Sequence, residues 1–164
     1  MAVSGVVKVR RDGVITLLDG VAATYTVAYE DGDFSADTLT GGNAADRVVI
    51  RDRGSIVGLR KGDDPVGSLS FSVHYREFTN ATGGVLLDFI TGTNGGVALT
   101  STGGVGFEQF LLDCKITIDG QDLATDSTAT FSKVLFTADF SEGDPDKLSL
   151  KGEVYGGVAF TGQA

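Results

Sequence analysis

Residues 68–75 read Ser-Leu-Ser-Phe-Ser-Val-His-Tyr, a strict alternation that commits this stretch to a β-strand. Leu69, Phe71, Val73 and Tyr75 share one face, and Ser68, Ser70, Ser72 and His74 the other. Successive side chains of a strand point to opposite sides of the sheet, so one face is buried and the other wetted. The pattern recurs along the chain. Leu112, Cys114, Ile116 and Ile118 face away from Asp113, Lys115, Thr117 and Asp119, and Val134, Phe136, Ala138 and Phe140 form a third inward row. Tyr25, Val27 and Tyr29 make a shorter row, and Leu148, Leu150 and Val154 a late one, with 158–161 as a last extended piece.

The turns fit the same reading. Glycine, at 24 of 164 residues, has about twice its usual share of roughly 7%. Many glycines follow Asp or Asn, at Asp12-Gly13, Asp19-Gly20, Asp31-Gly32, Asn94-Gly95 and Asp119-Gly120. Such pairs punctuate hairpins, so residues 6–11 and 14–18 read as a hairpin around Asp12-Gly13. One helix stands out. Val85, Leu86, Phe89 and Ile90 share a helical face, Thr82 is placed to cap its start, and Gly92 to end it. Strands in antiparallel runs with a single short helix predict two packed antiparallel β-sheets, a sandwich or open barrel, in one domain over 1–164.

Residues 38–66 break the alternation. Two short apolar runs, Val48-Val49-Ile50 and Ile56, Val57 and Leu59, sit among Asp46, Arg47, Arg51, Asp52, Arg53, Arg60, Lys61, Asp63 and Asp64. A charged segment of this length inside a compact domain is uncommon unless it is functional or disordered. It reads as a projecting loop or hairpin, a partner-binding arm.

Composition narrows the chemistry. The net charge of −9 argues against gripping nucleic acid, which requires cations to displace counterions from phosphate. His74 is the lone histidine, and residues two apart on a strand are too distant for a hydroxyl–imidazole hydrogen bond with Ser70 or Ser72. Asp31, Asp33, Ser35 and Asp37 alternate like a calcium loop, but Ala36 and Gly42 stand where that loop needs Gly and Glu. Cys114 is a single cysteine, so no internal disulfide is expected. No leader and no spanning segment is read in the chain, which is expected to be made in the cytoplasm without inserting into a membrane. No catalytic residue, cofactor or metal is expected.

The order of parts resembles the major tail protein (tail tube protein) of long-tailed bacteriophages. The resemblance rests on Ile50-Arg-Asp-Arg-Gly54 in the arm, the 68–75 strand, Gly84-Val-Leu-Leu-Asp-Phe-Ile-Thr-Gly92, and the closing Tyr155-Gly-Gly-Val-Ala-Phe-Thr-Gly162. It covers nearly the whole chain as pattern and order. It implies a tail-tube fold of two β-sheets flanked by a helix, with six copies closing a ring through a shared β-barrel. Rings then stack into a tube around a tape-measure protein, bounded by tail-end proteins, and double-stranded DNA later passes through without specific binding. The protein would be assembled in the host cytoplasm and reside in the virion tail. On this reading Arg47, Arg51, Asp52, Arg53, Arg60, Lys61, Asp63 and Asp64 form the inter-ring arm, and Ser68, Ser70, Ser72, Asp113 and Lys115 are candidates to line the lumen. Other readings are a head decoration or tail terminator protein and, from a different class, a carbohydrate-binding module; a β-fold hydrolase ranks last.

Overall fold

The computed structural model describes residues 13–20, 23–27, 33–40, 45–78, 85–92, 99–100, 109–118 and 126–162. The strand expected at 6–11, Thr82, Asp31-Gly32 and the Asp119-Gly120 turn lie outside them. The elements are β1 (Gly13–Leu18), β2 (Thr24–Thr26), β3 (Ser35–Ala36), β4 (Arg47–Asp52), β5 (Ser55–Lys61), β6 (Gly67–His74), α1 (Leu86–Thr91), β7 (Leu99–Thr100), β8 (Phe110–Ile118), β9 (Ser127–Ser141), β10 (Lys147–Val154) and β11 (Val158–Thr161). All pairings are antiparallel. A nine-stranded sheet runs β2-β1-β8-β9-β10-β6-β3, with β11 also on β9 and β7 on β8, and β4-β5 form a separate two-stranded sheet.

The fifteen-residue strand β9 organises the body. Val134 pairs with Leu112 of β8 and with Val154 of β10, so those neighbours occupy its two edges. The first half of β9 carries β8 on one edge and β11 on the other, and its second half carries β10. At the junction β9 has one residue too many for β8, since Leu112 pairs with Val134 but Cys114 with Phe131. Lys133 takes a left-handed φ of 54° there. The bulge frees its N–H from the ladder, and Asp113 Oδ1 accepts it at 2.9 Å. A bulge bends a strand and increases its twist, which lets one strand belong to two layers.

The sheet therefore folds over on itself. Tyr25 and Val27, at the β2 end of the order, line one cavity together with Val73 and His74 of β6. In a flat sheet β2 and β6 would lie five spacings apart, about 24 Å. Folded over, the two halves bury a common core: Ile15, Leu17, Leu112, Cys114 and Phe131 from one half, Leu69, Phe71, Val73, Leu148 and Leu150 from the other. Phe34 bridges them, stacked on Phe71 at 6.1 Å and tilted on Phe131 at 5.8 Å. The alternation read from the sequence is thus the burial pattern of β6, β8 and β10.

Gly13, read as half of a turn, is instead the first residue of β1, paired with Ile118. A Cβ there would stand 2.1 Å from Thr117 O, so close strand approach is what requires glycine. Helix α1 buries Leu86, Asp88, Phe89 and Ile90 and ends at Gly92, whose φ is 69°. Val85 begins it in extended conformation without a side-chain cap.

Candidate functional site

The arm is a hairpin. Strands β4 and β5 pair from Arg47↔Lys61 to Asp52↔Ser55 through a two-residue turn, Arg53 (φ 46°) and Gly54 (φ 88°). Left-handed conformation at both turn residues is the type I′ geometry that matches strand twist. Arg51 Nη1 donates to Gly54 O at 3.3 Å, and the ladder continues at the base through Gly62 N–H to Asp46 O at 2.6 Å. Lys61 pairs with Asp64. The eight arm residues named from sequence thus come together on this hairpin and its base.

Its apolar side chains are in water. Val48, Val49, Ile50, Ile56, Val57 and Leu59 are between 41% and 68% exposed. They occupy both faces, because Val48 and Ile50 point opposite to Val49. Neither strand packs extensively on any other element among the described residues. A lone two-stranded hairpin is marginally stable in water and offers two unpaired edges. Residues 47–61 also hold five cations and one carboxylate, a net +4, whereas the rest of the chain sums to −13.

The two outer borders of the β9-β10-β6-β3 layer differ. On β6 the backbone is already engaged. Ser68 N–H donates to Asp37 Oδ1 at 2.6 Å, Ser72 N–H to Asp33 Oδ1 at 2.8 Å, and Ser70 pairs with Ser35 of β3. Ser68 Oγ also donates to Asp37 Oδ2 at 2.8 Å. These donors hold the Asp37 carboxyl below its usual range, the Ser68 N–H most of all. The Asp33–Asp37 alternation is thus explained by strand-edge protection, which carboxylates supply by occupying N–H groups. On β9, by contrast, no strand among the described residues covers the far edge of residues 135–141.

The lumen candidates separate into two groups. Ser68, Ser70 and Ser72 lie on the outer face of one layer, beside Thr137, Lys151 and Glu153, with Lys151 paired to Asp139 at 3.0 Å. Asp113 and Lys115 lie on β8, opposite the buried Cys114 and Ile116, on the outer face of the other layer. The two groups do not form one wall. Asp113 has a role that sequence could not display, as acceptor for the Lys133 bulge.

The cavity of about 170 Å³ where β2, β6 and α1 meet is lined by Tyr25, Val27, Val73, His74, Arg76, Glu77, Val85, Leu86 and Leu148. Burial pushes the Tyr25 phenol up, outweighing the opposing pull of Arg76. A phenol so shifted stays protonated at neutral pH. Among the described residues no cluster of His, Cys, Asp and Glu is placed to hold a metal ion, and no helix is long and apolar enough to cross a membrane.

No protein-family model matches the chain, and no curated protein matches it. Solved structures share the fold. A chain from the cryo-EM structure of the PVC sheath/tube terminator of an extracellular contractile injection system, in its extended state, superposes with a TM-score of 0.60 at 13% identity, over 98% of this chain and 100% of that one. A chain from the anti-feeding prophage tube-terminating cap gives 0.60 at 14% identity, over 100% and 95%. A chain from the PVC sheath–tube complex in the extended state gives 0.55 at 12% identity, over 91% and 87%.

Proposed function

We propose that this chain is a structural, non-enzymatic subunit of a phage-like tail tube. Copies close into a ring, six by the family resemblance, and rings stack into the conduit through which double-stranded DNA passes. The carrying observation is the hairpin of residues 47–61: a well-formed element with exposed apolar side chains on both faces, against which no other element among the described residues packs extensively. An exposed apolar surface of this kind is an interaction site, and its +4 charge on a body of −13 makes another copy a fitting partner. Ring closure uses the edge of β9 at 135–141 that no strand among the described residues covers, where backbone groups can pair with a neighbouring subunit. Ser68, Ser70 and Ser72 then line the lumen together with Lys151 and Glu153, while Asp113 and Lys115 turn outward. The tape-measure protein and tail-end proteins are the further partners, and the virion tail is the place of action.

A second reading has its own support. The two tube-terminating structures match this chain almost end to end. As a terminator the subunit would form one ring and seat it on a tube built by another protein. Negative-stain electron microscopy of the purified chain at high concentration separates the readings. A tube subunit gives hollow tubes of stacked rings, and deleting 47–61 leaves a folded body that cannot stack. Single rings that never elongate favour the terminator. A monomer at every concentration, with no rings alone or beside tail components, sinks both.

A further inference from the structure

At the end of β6 remote from the hairpin, three aromatic rings gather in the open. Tyr75 lies 4.7 Å from Phe78 and 5.2 Å from Phe140, and Phe78 lies 5.4 Å from Phe140, centroid to centroid. Strand register assembles them. Phe140 pairs with Leu148, which pairs with Val73, and Tyr75 N–H donates to Asp146 O at 2.8 Å. Tilted and edge-to-face contacts hold the rings in place. Phe78 is nevertheless 52% exposed and Phe140 45%. An open aromatic cluster marks an interaction surface, and Tyr and Phe are enriched at interfaces. The segments that carry it, 75–78 and 140–147, hold Glu77, Glu142, Asp144 and Asp146 against Arg76 and Lys147, a net −2.

The hairpin complements this patch in chemistry and in position. It offers aliphatic side chains with a net +4. Lys61 at its base lines the same cleft as Gly67, which is at the opposite end of β6 from His74, about 23 Å away along the strand. A contact between one end of a subunit and the opposite end of the next is heterologous and repeats without closing. We propose that the Tyr75, Phe78 and Phe140 cluster is the socket that receives the 47–61 hairpin of a second copy of this chain. The inference rests on the stacking role given to the hairpin above and adds its receiving surface. Hairpin aliphatics cover the rings, arginine guanidiniums stack on ring faces, and Glu142 and Asp144 orient the approach.

The test places photoreactive benzoylphenylalanine at Phe78 of the full chain, irradiates concentrated protein, and maps the cross-linked dimer by mass spectrometry. The partner peptide is expected within 47–61. Arg53→Glu with Arg60→Glu should lower dimer yield at least about tenfold, the effect of removing interface anchors. Adding Glu142→Lys and Asp144→Lys to the partner copy should restore it. Cross-links that land on the body, or a yield indifferent to the two arginines, overturn the socket. Assembly of Phe78→Ser with Phe140→Ser, checked as folded by circular dichroism, gives a further reading. If that variant stacks normally while the 47–61 deletion does not, the stacking role stands and the socket falls. If the variant does not fold, the charge-reversal arms alone decide.

Discussion

Strand β6 and the β4–β5 hairpin both carry rows of apolar side chains, and those rows meet opposite fates. In β6, Leu69, Phe71 and Val73 are each 2% exposed, and the outer edge is occupied by β3, Asp33 and Asp37. In the hairpin every residue but Gly58 is exposed, aliphatic or charged. The difference lies in what surrounds the strands. Strand β6 has a neighbour on each edge and a layer across the core, whereas among the described residues the hairpin strands pair only with each other. Apolar residues left out of one chain's core are the ones available to another chain's surface.

Four substitutions would break or sharpen this contrast, measured first as stability of the isolated subunit. Phe71→Ala should have the largest effect, a loss of about 3–5 kcal/mol, because it leaves a cavity against Phe34 and Phe136. Chemical denaturation reads this, and a loss near zero would mean that the two halves do not share a core. Gly152→Ala comes next, at about 1–3 kcal/mol from overpacking. Its Cβ would stand 2.5 Å from Val134 Cγ1 and 3.0 Å from Leu69 Cδ1. A neutral outcome in the same denaturation assay would show that β10 can shift away from those neighbours.

Asp37→Ala should be smaller, under about 1 kcal/mol, since it removes exposed hydrogen bonds to Ser68. Its effect should also depend on pH. The folded-state carboxyl titrates below its usual 3.8. Its contribution is therefore present above that value and lost as pH falls through the lowered one. The difference in Tm between wild type and variant should shrink as pH falls from neutral through the lowered pKa into strong acid. A difference that persisted there would mean the negative charge is not what holds the edge. Leu59→Ser should have the least effect on the subunit, within about 0.5 kcal/mol, yet it should impair stacking as seen by sedimentation. If it destabilised the subunit as a core substitution does, the hairpin would be packed on its own body after all.

The sequence made the strands legible where one face is buried along a single element. The period-two rows around Leu69, Cys114 and Leu150 needed no knowledge of partners, and the αL cap at Gly92 is a local rule. Features that depend on two distant segments were out of reach. The bulge at Lys133 is visible only when Asp113, twenty residues away, supplies its acceptor. Phe140 belongs to the inward row by period, but it sits past the end of the covered core and stays exposed. The aromatic cluster arises from register between β6, β10 and β9, which no alternation pattern records. The arm residues were recognisable as an anomaly in charge and length, while their pairing followed from the Arg53-Gly54 turn.

Because β9 pairs with β8 up to Val134 and with β10 from Val134 onward, the two halves of the body share one strand. Displacing either half disturbs the ladder of the other, so substitutions in the two halves should couple energetically rather than add.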